Sequence, residues 1–361
     1  MRAAVMRNHK LVVDNISTPE PGPGEVLVKT LACGICGSDL HALKHTEKLV
    51  EVSRRSGGVF AMDLSRDIVM GHEFCAEIID YGSATKKQFK AGTRVCSIPV
   101  LIRSTGVQTV GYSNDNPGGY GEYMRLTEGL LLEVPNGLST EYAALTEPMA
   151  VGLHAVEMAR LAKDDVPLVI GCGPVGLAVI ASLRLKGVHP IVAADFSSRR
   201  RDLAVAMGAD MVINPAEKSP YESWRQVAVW SDSSKAPQLP PWATDPALRP
   251  AVIFECVGVP GVIDQIMAAA PMSARIIVVG VCMEKDAIEP MLGINKELNL
   301  QFVLGYTREE FAAMLRHIAE GSIPVQPLIT GKVGVEGVAQ AFVDLSSPER
   351  HAKILVEPWR S

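Results

Sequence analysis

Apolar and polar positions change rhythm partway along the chain. Before about residue 150 the apolar runs are short and fenced by glycine and proline. Glu25–Leu31 follows the turn-forming Pro19-Glu20-Pro21-Gly22-Pro23-Gly24, and Phe74–Tyr81 and Thr93–Ile98 are of the same kind, so this part is predicted to be β-rich. Beyond that point strands and helices alternate, the signature of a parallel sheet with crossover helices. Pro167–Ile170 reads as a strand, Gly171–Gly176 as a turn and Leu177–Lys186 as a helix. Pro190–Ala194 is the next strand, Arg199–Met207 a helix, and Met211–Ile213, Val252–Glu255 and Arg275–Val279 continue the sheet.

Two segments break this order. Lys44–Asp67 mixes polar and apolar residues around Gly57-Gly58, and Pro215–Arg249 is rich in Pro, Ser and Trp, including Pro237, Pro240, Pro241 and Trp242. Both are expected to be surface excursions; the first, close in sequence to the candidate metal ligands below, has a second reading as a wall of the substrate mouth. The apolar stretch Val166–Leu185 is tested as a membrane span and rejected. It contains Gly171, Gly173, Pro174 and Gly176, with Asp164 and Asp165 before it and Arg184 and Lys186 at its end, which suits a strand, turn and helix.

A chain of 361 residues exceeds what one core accommodates, so two domains are expected. The formal charge of −5 is spread without long single-sign blocks, which gives no nucleic-acid surface and no polybasic membrane anchor. The N-terminal residues lack the apolar stretch of a secretory signal. Seven cysteines, an odd number without a disulfide rhythm, point to a reducing cytoplasm.

The turn Gly171-Cys172-Gly173-Pro174-Val175-Gly176 follows a predicted strand and opens a predicted helix, the context in which G-x-G-x-x-G binds a dinucleotide. Gly171 permits the tight turn, Gly173 the approach of backbone to phosphate, and Gly176 close packing of helix on sheet. Donors at the helix N-terminus then face the pyrophosphate. Asp195, 24 positions on (195 − 171), ends the next strand, where a carboxylate accepts hydrogen bonds from the adenosine ribose and repels a 2′-phosphate. NAD is therefore favoured over NADP, although Arg199, Arg200 and Arg201 follow; of these Arg200 is expected at the ribose.

Upstream, Cys36, His72, Glu73 and Glu147 offer the thiolate, imidazole and carboxylate donors that a zinc ion accepts. Cys33-Gly34-Ile35-Cys36 has no second pair to complete a four-thiolate site, so Cys36 is the ligand candidate and Cys33 a buried small hydrophobe.

Gly34-Ile35-Cys36-Gly37-Ser38-Asp39-Leu40-His41, Gly71-His72-Glu73 and Glu147-Pro148 together resemble the zinc-dependent medium-chain alcohol dehydrogenases. The glycine turn, Gly118-Gly119-Tyr120-Gly121-Glu122-Tyr123, Phe254-Glu255-Cys256-Val257-Gly258 and Lys353-Ile354-Leu355-Val356 add to the likeness, which spans almost the whole chain. Within the family it looks closest to the polyol, threonine and butanediol dehydrogenases. The resemblance implies an α/β protein: a GroES-like, β-rich catalytic domain of residues 1–150 and 304–361, and a Rossmann domain with a doubly wound parallel sheet at 151–303, the active site lying in the cleft between them. It implies reversible hydride transfer between a secondary alcohol or diol and NAD.

By the same resemblance Cys36 and His72 bind one catalytic zinc, with Glu73 and Glu147 sharing the remaining protein contact in an order left open. Ser38 and His41 form a proton relay, and Asp39 fixes the loop or orients a ligand. Gly171, Gly173, Pro174, Val175, Gly176, Asp195, Arg200 and Val257 line the cofactor. The partner is a small alcohol or ketone, and self-association as a homodimer or homotetramer is expected. Two departures stand out. The segment from Cys96 to Tyr123 contains only Cys96, so a second, structural zinc of the kind many relatives carry is not expected, and the interval from Cys36 to His72 is long for the family. The competing readings are a zinc-free quinone or enoyl reductase, which lacks such a ligand set, and a non-catalytic dinucleotide sensor, against which Ser38 and His41 argue.

Overall fold

The computed structural model describes residues 1–238, 241 and 246–360. The chain forms two compact units, Met1–Pro148 with Arg308–Ser361 and Met149–Thr307. Pro240 and Trp242 of the second predicted excursion lie outside the described residues.

In chain order the first unit opens with the hairpin β1 (Arg2–Arg7) and β2 (Lys10–Asn15). Asn8 and His9 between them both have positive φ, the two-residue turn that suits the strand twist. β3 (Glu25–Gly34), α1 (Gly37–Ser56), β4 (Glu73–Tyr81), β5 (Arg94–Ser97), β6 (Val100–Arg103), β7 (Gly106–Thr109), β8 (Tyr123–Thr127), β9 (Leu131–Glu133) and α2 (Thr140–Ala144) follow. The helix α3 (Thr146–Met158) contains the boundary, and the second unit continues with β10 (Val166–Ile170), α4 (Pro174–Leu185), β11 (Val192–Ala194), α5 (Ser198–Met207), β12 (Met211–Ile213), α6 (Pro220–Val227), β13 (Ala251–Glu255), α7 (Val262–Ala269), β14 (Arg275–Val278), α8 (Pro290–Lys296) and β15 (Asn299–Phe302). The chain returns to the first unit through α9 (Arg308–Ala319), β16 (Ile329–Val333), α10 (Val338–Leu345) and β17 (Lys353–Val356).

The first unit is built on a seven-stranded sheet, β16-β17-β3-β4-β5-β9 with β8 also paired to β3. Its core runs from Ala3–Met6 of β1 through Val26 and Val28 of β3 to Ile354 and Val356 of β17. The β6–β7 hairpin, in the segment that carries only Cys96, is held by polar contacts. Arg103 donates to the buried Glu25 at 2.6 Å and to Gln108 at 2.6 Å, and the Ile102 N–H donates to Thr127 Oγ1 at 2.9 Å.

The second unit carries six parallel strands in the order β12-β11-β10-β13-β14-β15. The order reverses between β10 and β13, the place where open α/β sheets bind nucleotides.

Both predicted excursions are more structured than expected. Lys44–Ser56 belongs to α1, which kinks at His45, buries Ala42, Thr46 and Ser53, and stops at Gly57 in the left-handed region. Within Pro215–Arg249 lies α6, started by Ser219 accepting the Glu222 N–H with Pro220 in its first turn. Trp224 of that helix is buried and donates Nε1–H to Val166 O at 2.9 Å, packing into the sheet core. In each case apolar residues at helical spacing sit among polar ones that mask the periodicity.

Candidate active site

Antiparallel pairing of β3 and β4 places Gly34 opposite Glu73. This register brings the end of β3, which leads into Cys36, against the start of β4, which Gly71-His72 enters. A side chain at Gly34 would collide with the Glu73 carboxylate, so the glycine is what lets that group lie across the strand. Cys36 caps α1 in an extended conformation. The ligand atoms of Cys36, His72 and Glu73 lie within 4.8 Å of one another. A thiolate, an imidazole and a carboxylate at this spacing fit a zinc ion. Glu147, on the first turn of α3, is not part of that group; its charge bears instead on Lys353.

Lys353 was not singled out for any role by sequence reasoning. It stands on β17, which pairs with β3 through Leu355↔Gly34. Its ammonium is 2.7 Å from both oxygens of Glu73 and donates to Ile35 O at 3.0 Å. Both partners are buried, at 2% exposure for Lys353 and 0% for Glu73. Burial alone would lower the lysine pKa, but Glu73, with Cys36 and Glu147, outweighs it and holds the ammonium above its ordinary value. A metal at this site therefore competes with Lys353 for Glu73. The available signal was a single lysine opening the apolar run Lys353–Val356.

Asp39, fully buried in the first turn of α1, is surrounded by donors. Its Oδ2 accepts the Cys36 N–H at 3.0 Å and the Tyr120 hydroxyl at 2.6 Å, and its Oδ1 accepts the Tyr112 hydroxyl at 2.9 Å. His72 Nδ1 lies 3.4 Å from Oδ1, an ion-pair distance without hydrogen-bond geometry. Burial pushes the Asp39 pKa up, yet the facing His72 and these donors hold it below its ordinary value. For His72 burial works downward, and Asp39 with Cys36 raises its pKa well above the usual imidazole range.

Ser38 Oγ is 2.8 Å from Tyr112 Oη. His41 follows one turn later on α1, half-buried; burial, then His45 and Lys44, lower its pKa and favour the neutral ring. Tyr112 is a second residue that sequence reasoning missed. The Cys96–Tyr123 segment was noted for the cysteines it lacks, and nothing in its local pattern distinguishes this tyrosine.

In the second unit Gly171 has φ +92°, and Gly176 lies where any side chain would strike Gly171 O. Gly173 caps α4, and Pro174 and Val175 form its first turn. Asp195 Oδ2 accepts the Cys172 N–H at 2.8 Å and Oδ1 accepts the Ser197 N–H at 2.8 Å, tying the carboxylate to the glycine turn. Arg200 Nη1 is 3.8 Å from Asp195 Oδ2, and its guanidinium lies 4.0 Å from where a Cβ at Gly173 would stand. Arg201 instead donates to Asp195 O and Phe196 O. Val257 stands at the end of β13 against Gly171, its N–H held by Glu255 at 2.7 Å. The structure thus groups Gly171, Gly173, Pro174, Val175, Gly176, Asp195, Arg200 and Val257 at the strand ends beside the order reversal.

Comparison with known proteins adds an independent line. Residues 22–136 match the model of the alcohol dehydrogenase GroES-like domain and residues 174–320 that of the zinc-binding dehydrogenase domain. The chain is 30% identical to (R,R)-butanediol dehydrogenase of Bacillus subtilis (strain 168), over 99% of its own length and 100% of the relative's. It is 27% identical to the sorbitol dehydrogenase of Bos taurus, over 95% and 94%. The crystal structure of 2R,3R-butanediol dehydrogenase from Bacillus subtilis superposes with a TM-score of 0.79 at 28% identity, over 99% of both chains. A structure from Sinorhizobium meliloti 1021 determined with bound NADP has a TM-score of 0.78 at 25% identity, again over 99% of both.

Proposed function

The chain belongs to the zinc-dependent medium-chain alcohol dehydrogenase family, oxidoreductases acting on alcohols, and from that premise we propose that its substrate is a secondary alcohol or a diol and its hydride carrier NAD. The observation that carries this reading is the convergence of Cys36, His72 and Glu73 within 4.8 Å, with Ser38 two residues from Cys36 on the same helix start. When bound, zinc supplies Lewis acidity toward an alcohol oxygen and the nicotinamide accepts hydride. Cys36, His72 and Glu73 would hold the metal, with the Asp39 carboxylate facing His72 Nδ1 at 3.4 Å. Ser38 would take up the hydroxyl proton of the substrate while releasing its own, and His41, kept neutral by burial, would accept a proton nearer solvent.

The α4 N-terminus would hold the pyrophosphate and Asp195 the adenosine ribose. Asp195 supports NAD, and Arg200 beside it is the group a 2′-phosphate would meet. The relatives named for butanediol and sorbitol favour a substrate with neighbouring hydroxyls. The test is a panel of alcohols, diols and ketones followed by NADH absorbance, on protein of assayed metal content. Turnover of secondary alcohols or diols that tracks zinc content is expected; a zinc-loaded protein inert toward the whole panel refutes the assignment.

Self-association is part of the proposal. β15 ends the second unit's sheet; Phe302, its last residue, and Leu304 just beyond it are 62% and 84% exposed. An apolar sheet edge of this kind pairs with a second copy. Light scattering should give a homo-oligomer that Phe302→Asp weakens; a wild-type monomer rejects this. Among the described residues no helix is long and apolar enough to cross a membrane.

A further inference from the structure

We infer that Glu255 is a positioning residue of the cofactor site, whose buried carboxylate shapes the strand ends that receive the nicotinamide half and favours the cationic, oxidised ring over the neutral, reduced one. The inference rests on the nicotinamide reading above and deepens it. Glu255 is the last residue of β13 and is 1% exposed. Its Oε1 accepts the Val257 N–H at 2.7 Å and the Gly258 N–H at 2.8 Å, which folds the chain back over the strand end. Its main-chain oxygen accepts the Val279 and Gly280 N–H groups, both at 2.9 Å, and so fastens the end of β14 to the end of β13. A Cβ at Gly280 would stand 2.8 Å from Oε2, so the carboxylate occupies the space between the two strand ends. Val257, placed by this clasp, lies against Gly171 of the phosphate turn. One residue thus ties together the three segments that a dinucleotide would cross.

The same group is a fixed charge. The donors that hold its side chain are neutral N–H groups, so the charge is stabilised by dipoles and not cancelled by a cation. Its field reaches its neighbours: burial and then the Glu255 charge push the Tyr221 hydroxyl of α6 up to about 12. Asp195 follows β11, on one side of β10, and Glu255 ends β13 on the other. A dinucleotide lying across the order reversal with its adenosine at Asp195 has its nicotinamide half on the β13–β14 side. Oxidised and reduced cofactor share the same adenosine and pyrophosphate. They differ at the ring, a cation when oxidised and neutral when reduced, so an anion on that side acts on the difference between them. At an effective dielectric of about 20, two unit charges about 10–15 Å apart change a binding constant roughly five- to twentyfold.

The experiment measures dissociation constants for ADP-ribose, NAD+ and NADH by titration calorimetry, on zinc-loaded wild type, Glu255→Gln and Glu255→Asp without alcohol. Glutamine keeps the size of the side chain and an oxygen for the two N–H groups, and removes the charge. The ratio Kd(NADH)/Kd(NAD+) should fall roughly five- to twentyfold in Glu255→Gln, through weaker binding of NAD+. ADP-ribose, which lacks the ring, should bind within about threefold of wild type and shows that the fold is intact. Aspartate keeps the charge, so Glu255→Asp should hold the ratio within about threefold of wild type even where the shorter side chain loosens all three ligands. An unchanged ratio in Glu255→Gln, even with all three ligands weakened together, leaves Glu255 as a loop fastener and overturns the inference. An aspartate variant whose ratio falls as far as that expected for glutamine overturns it too, and decides alone if Glu255→Gln does not fold. A wild type that binds ADP-ribose but neither dinucleotide, or none of the three, refutes the nicotinamide reading and the inference with it.

Discussion

Replacing Lys353 by Met deletes the cation of the buried pair while nearly conserving volume. Glu73 then stays behind in the sheet, 0% exposed, without the ammonium that now sits 2.7 Å from both of its oxygens. Removing one partner of a buried pair costs about 3–5 kcal/mol, because the remaining charge is uncompensated. That corresponds to a roughly hundred- to several-thousandfold rise in the opening equilibrium of the surrounding strands. The Lys353 pKa is raised above 10.5, so its stabilising effect is complete below pH 10.5 and fades only as the pH climbs through the folded value. An assay at pH 7–8 thus sees all of it.

Hydrogen exchange on chelator-treated protein reads this directly. Amides of β3, β4 and β17 should open more readily in Lys353→Met, while those of β10, β13 and β14 in the other unit serve as the internal reference. Adding Glu73→Gln removes the stranded charge and should recover most of the loss. Exchange in the first unit within about tenfold of wild type, or a double variant less protected than the single, would refute the argument that a buried charge pair holds these strands.

Cys36→Ser should lower zinc content and turnover together, and unchanged turnover would remove Cys36 from the metal site. Asp195→Gly should move the preference ratio toward NADP by removing the carboxylate beside Arg200; an unaltered ratio counts against that role. In metal-free protein His72 carries a raised pKa, so its proton contributes stability fully below pH 6.5, and that contribution fades as pH rises through the folded value. Zinc must displace this proton. Calorimetry at pH 7 in buffers of different ionisation enthalpy should show release of more than the single proton a thiol ligand gives up, and a value of one or less refutes the His72 assignment.

Local pattern carried much of this molecule. The strand at β10, the glycine turn and the helix after it follow from alternation and from the conformational needs of Gly171, and Asp195 is found by spacing alone. The ligand candidates Cys36, His72 and Glu73 were legible as residue types, because few side chains bind zinc. Other features depend on partners remote in sequence, which no local periodicity encodes. The Gly34↔Glu73 register brings Glu73 beside Cys36 and His72. Lys353 meets Glu73 from 280 residues away, and Tyr112 reaches Ser38 across 74. A buried polar group must find its partner wherever the chain returns, so the sequence by itself determined which chemistry was available, and tertiary pairing decided which groups neutralise, orient or compete with one another.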